Sequence, residues 1–202
     1  MIKQIEAYEP YNEQEERDKE IILSMLTEAE RMGEDIFSRE NRIAHMTASA
    51  WVVNRDRTKV LLAYHNIYNS WAWLGGHADG ERNLLSVAVR EVCEESGLTP
   101  THVRPAWLIS QKGDLSQGSA GDIFSLEVLA VDGHFKKGEY ISSHLHLNVT
   151  YLLEADEEET LYKKEDENSS VKWFLPEEAL AVSSEPWFAE HIYRKLNEKA
   201  GL

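Results

Sequence analysis

The spacing of hydrophobic and polar positions along the chain predicts helices at three places. The segment from Asn12 to Gly33 is rich in helix-favouring residues, and its apolar positions recur every three or four residues. Residues Asn83 to Ser96 show the same period, and Gly97 follows as a helix-terminating residue. A third amphipathic helix is predicted over Pro186 to Lys199. Each helix therefore has an apolar face that can pack against other elements.

Short runs rich in β-branched and aromatic residues predict strands between these helices. The predicted strands are His45 to Val53, Val60 to His65, Ala106 to Ser110, Ile123 to Val131, His144 to Leu153 and Val171 to Phe174. A polar turn separates the first two, which predicts an antiparallel hairpin. The glycine- and serine-rich segment from Gln111 to Gly121 is predicted to be a loop, and the acidic segment 154–169 a solvent-exposed excursion.

The mixture of strands and helices predicts an α/β fold with helices on both sides of a sheet. The helix over 12–33 precedes every predicted strand, and no internal repeat or clear linker divides the remaining chain. We therefore predict an N-terminal helical extension over residues 1–42, followed by a single domain over residues 43–202.

The acidic composition narrows the classes of partner. The 202 residues carry a formal net charge of −15, and binding of duplex nucleic acid or anionic membranes relies on Lys and Arg, so neither partner is expected. A small phosphorylated substrate is compatible with this negative charge if divalent cations bridge its phosphates to the protein. Cys93 is the single cysteine, and neither a signal peptide nor an apolar run of about 20 residues is present, so we expect a cytoplasmic protein.

Three carboxylates share one face of the predicted helix over 83–96. Glu91, Glu94 and Glu95 stand at positions i, i+3 and i+4, where Cβ atoms are about 5–6 Å apart. Taken alone, the pattern is typical of a solvated acidic helix face. The apolar positions of the opposite face, which we predict to be buried, are Leu85, Ala88, Val89 and Val92. A helix fixed on one side that presents carboxylates on the other suits hard cations such as Mg²⁺, which prefer oxygen ligands.

The sequence around this helix resembles the signature of the Nudix family. That signature has a glycine, five residues, a glutamate, seven residues, and then Arg-Glu-apolar-x-Glu-Glu-x-Gly-apolar. Gly76 matches the first glycine, and the block from Arg90 to Leu98 matches the second part without a gap. One position departs: Arg82 stands where the family has its first glutamate, and Glu81 precedes it. The resemblance is strongest over residues 45–100 and extends more loosely to residues 171–180.

The resemblance implies a Nudix-type α/β/α sandwich with a mixed β-sheet. It also implies metal-dependent hydrolysis, with Mg²⁺ or Mn²⁺, of the diphosphate linkage in a nucleoside diphosphate joined to another moiety. Glu94 and Glu95 would be the main metal ligands, and Glu91 a further ligand or the group that deprotonates water. Arg90 would brace this cluster, and a backbone carbonyl of Gly75 or Gly76 would add a ligand. Because Arg82 stands in place of the signature's first glutamate, a helper role of that glutamate is not expected here. The roles implied for the metal ligands and Arg90 are unaffected.

Other residues with the chemistry for substrate binding lie outside the signature. His144 and His146 alternate on one predicted strand and therefore face the same side, where they could contact a phosphate or transfer a proton. Half-exposed sheet histidines are the ordinary alternative. The tryptophans Trp51, Trp71 and Trp73 are interpreted as core. A further acidic metal ligand could come from Glu127, Glu139, Glu165 or Glu167, and the sequence does not choose among them.

Two alternatives to the diphosphatase have different requirements. A catalytically weak Nudix-fold sensor that binds a nucleotide has no need of all three glutamates. A Nudix-type isomerase would need a nucleophilic cysteine in its cleft, and Cys93 lies within the predicted helix. The substrate stays open because selectivity comes from loops outside the signature. We also expect a homodimer formed partly by the N-terminal segment.

Overall fold

A computed structural model of the chain describes residues 1–67, 69–106, 121–136, 138–164 and 168–202. Its helices are α1 (Ile2–Ala7), α2 (Glu13–Met32), α3 (Leu84–Ser96), α4 (Pro176–Val182), α5 (Pro186–Phe188) and α6 (Arg194–Ala200), with a π-helical turn at Ala189–Tyr193. Its strands are β1 (Ala44–Asn54), β2 (Val60–His65), β3 (Ser70–Ala72), β4 (Leu74–His77), β5 (Arg104–Pro105), β6 (Ser125–Val131), β7 (His134–Lys136), β8 (Glu139–Ile141), β9 (His144–Ala155) and β10 (Asn168–Phe174). Most of the strand predicted over Ala106 to Ser110 and of the loop predicted over Gln111 to Gly121 lies outside the described residues, since residues 107–120 are not among them.

The described residues form two compact units, and we describe each by itself. The first unit contains Met1–Ala48, Gly76–Val87 and Ile123–Thr150, and the second contains Ser49–Gly75, Ala88–Asp122 and Tyr151–Leu202. Strands β1, β4 and β9 and helix α3 continue along the chain from one unit to the other.

In the first unit, α2 begins and ends where its sequence predicts. The Asn12 side chain accepts a hydrogen bond from the Glu15 amide at 3.0 Å, and Gly33 adopts the left-handed conformation (φ 71°) that ends the helix. Ile22, Leu26 and Ala29 form its buried stripe. The helix was predicted from sequence, whereas the short helix α1, with its buried Ile5, was not.

Helix α2 packs on strand β6, which pairs antiparallel with β9 over seven residues. The Val128 amide donates to Asp18 Oδ2 at 3.0 Å, and Gln14 Nε2 donates to the Leu126 carbonyl at 3.3 Å. Side chains of α2 thus form hydrogen bonds with backbone groups of β6, and the helix covers the edge of this strand. Strands β7 and β8 form an additional hairpin that the sequence pattern did not predict.

Strands β1 and β9 run in the same direction. The Leu145 amide donates to the Ile43 carbonyl at 2.9 Å, and further along Thr47 Oγ1 donates to Asn148 Oδ1 at 2.9 Å. The pairs β6–β9 and β1–β2 are antiparallel. The sheet is therefore mixed, as in the predicted α/β fold with an N-terminal helix.

In the second unit the hydrogen-bonded strand order is β10–β2–β1–β9–β5, with β3 beside β2. The β1–β2 hairpin, predicted from its polar turn, has Val53 opposite Val60. The core contains Trp51, whose ring stacks on that of Tyr193 with centroids 5.3 Å apart. Trp51 and Trp73 are buried, as their interpretation as core residues requires, whereas Trp71 is half-buried.

The C-terminal helix predicted over residues 186–199 is interrupted. The structure has α5, the π-helical turn and α6 in its place. The additional residue in the π-helical turn lets consecutive side chains, Ile192 and Tyr193, both face the core, where neither is exposed. Among the described helices, none is both long and apolar enough to cross a membrane.

Candidate active site

Helix α3 carries the glutamates of the predicted metal site, and its ends are fixed by local chemistry. Asn83 Oδ1 accepts from the Ser86 amide at 3.2 Å at the start of the helix. At its end the Gly97 amide donates to the Cys93 carbonyl at 2.9 Å, and Gly97 has φ of 73°. The fully buried apolar side chains of the helix are Leu84, Val87, Ala88 and Val92. Leu85 and Val89, which we predicted to be buried, are half-buried, because the apolar stripe is turned by one residue toward Leu84.

Glu95 has its carboxylate held in the interior of the second unit. The residue is 2% exposed, and its Oε2 accepts from the Gly75 amide at 3.2 Å. His65 Nε2 lies 3.8 Å from Oε1. Strands β2 and β4 thereby place an imidazole and a glycine backbone against the carboxylate. Gly76, the next residue of β4, belongs to the first unit.

Arg90 contacts the other two glutamates of the set. Its guanidinium is 2.8 Å from Glu91 Oε1 and 3.8 Å from Glu94 Oε1. Burial raises the pKa of the Glu91 carboxyl, and the hydrogen bond from Arg90 opposes that rise. Glu94 is the exposed member of the three.

The acidic segment 154–169, predicted to be a solvent-exposed excursion, contacts helix α3. The Tyr162 amide donates to the Ser96 carbonyl at 2.7 Å, and Asn168 Nδ2 donates to the Glu95 carbonyl at 2.9 Å. Lys164 Nζ lies 3.0 Å from Glu94 Oε2. Much of the described segment is exposed, as predicted, but its contacts with α3 were not predicted. The carbonyls at the end of a helix need donors, and this segment supplies them despite its acidic composition.

Lys164 is a residue of this site that sequence analysis missed. A lysine within an acidic stretch carries no periodic signal, and it is 70 residues from Glu94 in the chain. The one available hint was that Lys163 and Lys164 are the only basic residues between Glu154 and Ser169.

Arg82, which departs from the signature, is engaged within the first unit. Its guanidinium lies 3.1 Å from Asp35 Oδ1 and 4.5 Å from the centre of the Phe37 ring. The adjacent Glu81 accepts from the Asn83 amide at 2.7 Å. Arg82 thus joins the start of the signature segment to the N-terminal region.

His144 and His146 lie side by side on β9 in the first unit, and their Nε2 atoms are 3.2 Å apart. Their assignment to substrate binding stays a prediction. Of the further acidic ligands considered, Glu127 is fully buried and Glu139 is exposed on β8. Glu165 and Glu167 lie outside the described residues. Burial raises the pKa of the half-buried Cys93 thiol, which disfavours the nucleophile that an isomerase would need.

The donors around α3 fit a hard divalent cation. Glu91, Glu94 and Glu95 offer carboxylate oxygens, the ligand type that Mg²⁺ and Mn²⁺ prefer. Within the described parts of the chain, these carboxylates do not form a converged group of three ligand atoms. They are held apart by their contacts with Arg90, Lys164 and Gly75.

The chain is similar to one known protein family and to several solved structures. A sequence profile of the NUDIX domain matches residues 44–196. A sequence comparison with curated proteins finds no match. Among solved structures, a C. elegans Ap4A hydrolase complex is 17% identical, with a TM-score of 0.50 over 76% of this chain and 93% of that one. A Clostridium perfringens NUDIX-family hydrolase is 23% identical, with a TM-score of 0.48 over 80% and 97%. An E. coli dihydroneopterin triphosphate pyrophosphohydrolase is 14% identical, with a TM-score of 0.45 over 74% and 92%.

The NUDIX profile covers most of the chain, including α3 and its three glutamates. The described strands and helices give the α/β fold with a mixed sheet that this family has. The chain therefore belongs to the Nudix family and is a hydrolase of pyrophosphate bonds.

Proposed function

We propose that this Nudix hydrolase cleaves the diphosphate linkage of a nucleoside diphosphate joined to another moiety, and that it requires Mg²⁺ or Mn²⁺. The observation that carries the proposal is the carboxylate set of α3, which stands beside two cationic side chains, Arg90 and Lys164. The partner would be a small phosphorylated molecule. Its exact identity, a homodimer and a cytoplasmic location stay predictions.

In this proposal Glu94 and Glu95 hold the metal ion, and a carbonyl of Gly75 or Gly76 adds a ligand. Glu91 is either a further ligand or the group that deprotonates water. A bound divalent cation would neutralise the negative charge of the diphosphate and polarise a phosphoryl oxygen. Glu95 is already oriented by the Gly75 amide and His65. An oriented ligand loses little side-chain entropy when the metal binds.

Glu91 is suited to accept a proton from the attacking water. Burial raises its pKa, so its carboxylate is a stronger base than an exposed one. Arg90 holds the same carboxylate at 2.8 Å and keeps it in a fixed orientation. Position and proton affinity thus favour Glu91 as the base, with Arg90 as its positioning residue.

Lys164 places a positive charge at the exposed edge of the carboxylate set. Its ammonium group is 3.0 Å from Glu94, and the flexible lysine stem lets the same group reach a bound phosphate. In a protein with a net charge of −15, a local cation reduces the repulsion of an anionic substrate. We therefore assign Lys164 to substrate binding.

A test of the proposal measures phosphate or nucleotide release from a panel of diphosphate compounds, with Mg²⁺ and with a chelator. The panel holds nucleoside triphosphates, ADP-ribose, NADH, dinucleoside polyphosphates and a non-nucleotide diphosphate. We expect metal-dependent cleavage of at least one nucleoside diphosphate derivative. Cleavage of the non-nucleotide compound alone would overturn the substrate class and leave the reaction class intact.

Substitution of the exposed glutamate tests the residue assignment. Glu94→Gln removes one charged ligand with little change in volume, and we expect kcat to fall about 100-fold or more, because transition-state charge loses its electrostatic stabilisation. Glu177→Gln, at an exposed position of α4, changes the net charge equally and should keep full activity. Full activity of the Glu94 variant would contradict the metal assignment. A wild-type protein that binds nucleotide without cleaving any compound would favour the sensor alternative.

A further inference from the structure

Three histidines of the first unit bring their ring nitrogens close together. His45 comes from β1, and His144 and His146 come from β9; we call these three residues the histidine cluster. One ring nitrogen of each lies within 4.8 Å of those of the other two. Among the described residues, this is the group of three side chains whose ligand atoms converge closely enough to hold a metal ion.

Hydrogen bonds orient two of the rings for ligation. His45 Nδ1 is 2.9 Å from the Asn41 carbonyl oxygen, and His144 Nδ1 is 2.8 Å from the Ser142 carbonyl oxygen. A carbonyl oxygen only accepts, so each Nδ1 carries the proton and each Nε2 carries a lone pair. Histidines that bind metal ions are held in this way by a backbone carbonyl on the opposite nitrogen.

The Nε2 atom of His45 is buried and has no hydrogen-bond partner among the described residues. The side chain is 4% exposed, so water does not readily satisfy this lone pair. A buried polar atom without a partner costs free energy, and such atoms often mark a bound ion. The unsatisfied nitrogen points to a ligand in the cluster independently of the distances.

The ring nitrogens of the cluster offer the ligand type that transition metals bind, since a neutral imidazole carries a lone pair on one of its nitrogens. Three ring nitrogens that lie this close together suit a cation better than the oxygens of a phosphate.

We propose that the histidine cluster is a site for a divalent transition metal such as Zn²⁺, with ligands other than the carboxylate set of α3. Imidazole nitrogens are the ligands that Zn²⁺, Cu²⁺ and Ni²⁺ prefer, whereas Mg²⁺ prefers oxygen. Two tetrahedral Zn–N bonds of about 2.0–2.1 Å place the nitrogens roughly 3.3 Å apart. The Nε2 atoms of His144 and His146 are already 3.2 Å apart.

Small adjustments complete the coordination. The proton shared between the two β9 histidines moves to Nδ1 of His146, so three lone pairs face the ion and no proton is gained or lost. His77 borders the cluster, with its ring centre 4.9 Å from that of His146 and 5.1 Å from that of His45. It is the nearest candidate for a fourth ligand, and a water molecule would otherwise take that position.

The experiment measures Zn²⁺ bound to the full chain by equilibrium dialysis in millimolar Mg²⁺, which occupies sites that prefer oxygen ligands. We expect one equivalent of Zn²⁺ to be retained by the wild-type protein. His144→Ala and His146→Ala should each weaken binding about 10-fold or more. His191→Ala, an exposed residue of the second unit, removes one histidine as well and should leave binding unchanged.

A second set of measurements separates the cluster from the carboxylates and from misfolding. Glu94→Gln should retain the Zn²⁺ equivalent, and the visible absorption of Co²⁺ bound to the wild-type protein should change in the His144 and His146 variants only. Thermal unfolding in chelator confirms that each variant is folded. Wild-type Zn²⁺ affinity in both histidine variants, loss of Zn²⁺ in the Glu94 variant alone, or no stoichiometric binding would overturn the proposal. None of these outcomes depends on hydrolytic activity.

Discussion

The two units of this protein hold their glutamates in opposite ways. In the first unit Glu15 and Glu127 are both fully buried and are joined through Ser125, whose Oγ lies 2.6 Å from Glu15 Oε1 and also contacts Glu127 Oε1. A serine hydroxyl has one proton, so Ser125 donates to one of these two carboxyl groups at a time. In the second unit, Glu91 and Glu94 are held by the cations Arg90 and Lys164.

Neutral donors complete the buried network of the first unit. Glu127 Oε2 accepts from Thr150 Oγ1 at 2.8 Å and from Asn148 Nδ2 at 3.0 Å. Tyr8 donates its hydroxyl to Glu15, and burial, followed by the charge of Glu15, raises the Tyr8 pKa far enough to keep that proton in place. The oxygens of these carboxyl groups already accept hydrogen bonds within the fold. Glu127 is therefore a poor candidate for the additional metal ligand that the sequence left open.

The difference indicates which acidic residues are available for chemistry. A buried carboxylate that accepts hydrogen bonds from hydroxyl, amide and phenol groups has its hydrogen-bonding capacity filled. Moving it would break those hydrogen bonds and leave buried donors without an acceptor, which costs free energy. A carboxylate held at the surface by mobile Arg and Lys side chains can exchange those partners for a metal ion or a substrate at little cost. Glu94, and Glu91 through Arg90, are of the second kind, whereas the buried Glu95 is held by the Gly75 amide.

The largest effect on stability should follow from removal of Glu15. Glu15→Ala removes an acceptor from the Tyr8 hydroxyl, the Tyr11 amide and the Ser125 hydroxyl, and we expect the free energy of unfolding to fall by about 3 kcal/mol. Urea unfolding measures the change. Glu16→Ala, at an exposed position of the same helix, is the control and should change stability by less than about 0.5 kcal/mol. Equal effects of the two substitutions would mean that the buried network contributes nothing beyond helix propensity.

Some features of the two units could be predicted from the sequence because they depend on local patterns. The i, i+3, i+4 spacing of Glu91, Glu94 and Glu95 lies within one helix, so a single period and the surrounding signature identify it. The ends of α2 were likewise predicted from Asn12 and Gly33, which act on neighbouring backbone groups. Such features depend on residues a few positions apart.

Features built from distant residues were not predicted. His45 is about 100 positions from His144, and only the parallel pairing of β1 with β9 brings their rings to 5.0 Å. The docking of the acidic segment on α3 depends on the amide of Tyr162 and the side chain of Asn168, which have no distinctive sequence pattern. Tertiary hydrogen bonds to backbone carbonyls cannot be predicted from the composition of a segment or from the periodicity of its apolar residues.

A smaller effect should follow from crowding the end of the catalytic helix. A Cβ atom at Gly97 would lie 2.7 Å from Tyr162 Cβ and 3.1 Å from the Tyr162 backbone nitrogen, and the residue also has positive φ. We expect Gly97→Ala to lower the free energy of unfolding by about 2–3 kcal/mol. Gly33→Ala is the matched control, since Gly33 has φ of 71° and nothing within 4 Å of a Cβ. It should cost only the backbone strain, about 1 kcal/mol.

The difference between the two glycine variants isolates the contact with the acidic segment. If Gly97→Ala is no worse than Gly33→Ala, the segment around Tyr162 is not fixed against α3. Steady-state kinetics of the folded Gly97 variant add a second measure, because a displaced segment also displaces Lys164 from Glu94.

The smallest effect on stability should come from substitution of Lys164. This variant tests whether a surface cation can exchange its carboxylate partner for substrate. Lys164→Met keeps the length of the side chain and removes its charge. An exposed ion pair with Glu94 is worth about 0–1 kcal/mol, so stability should barely change. A charge-assisted contact with substrate phosphate is worth more, and we expect KM to rise about 10-fold with kcat little changed. Lys163→Met makes the same change in net charge at the neighbouring exposed residue. A similar rise in KM for that control would show a general electrostatic effect, whereas an unchanged KM in the Lys164 variant would confine this lysine to its contact with Glu94.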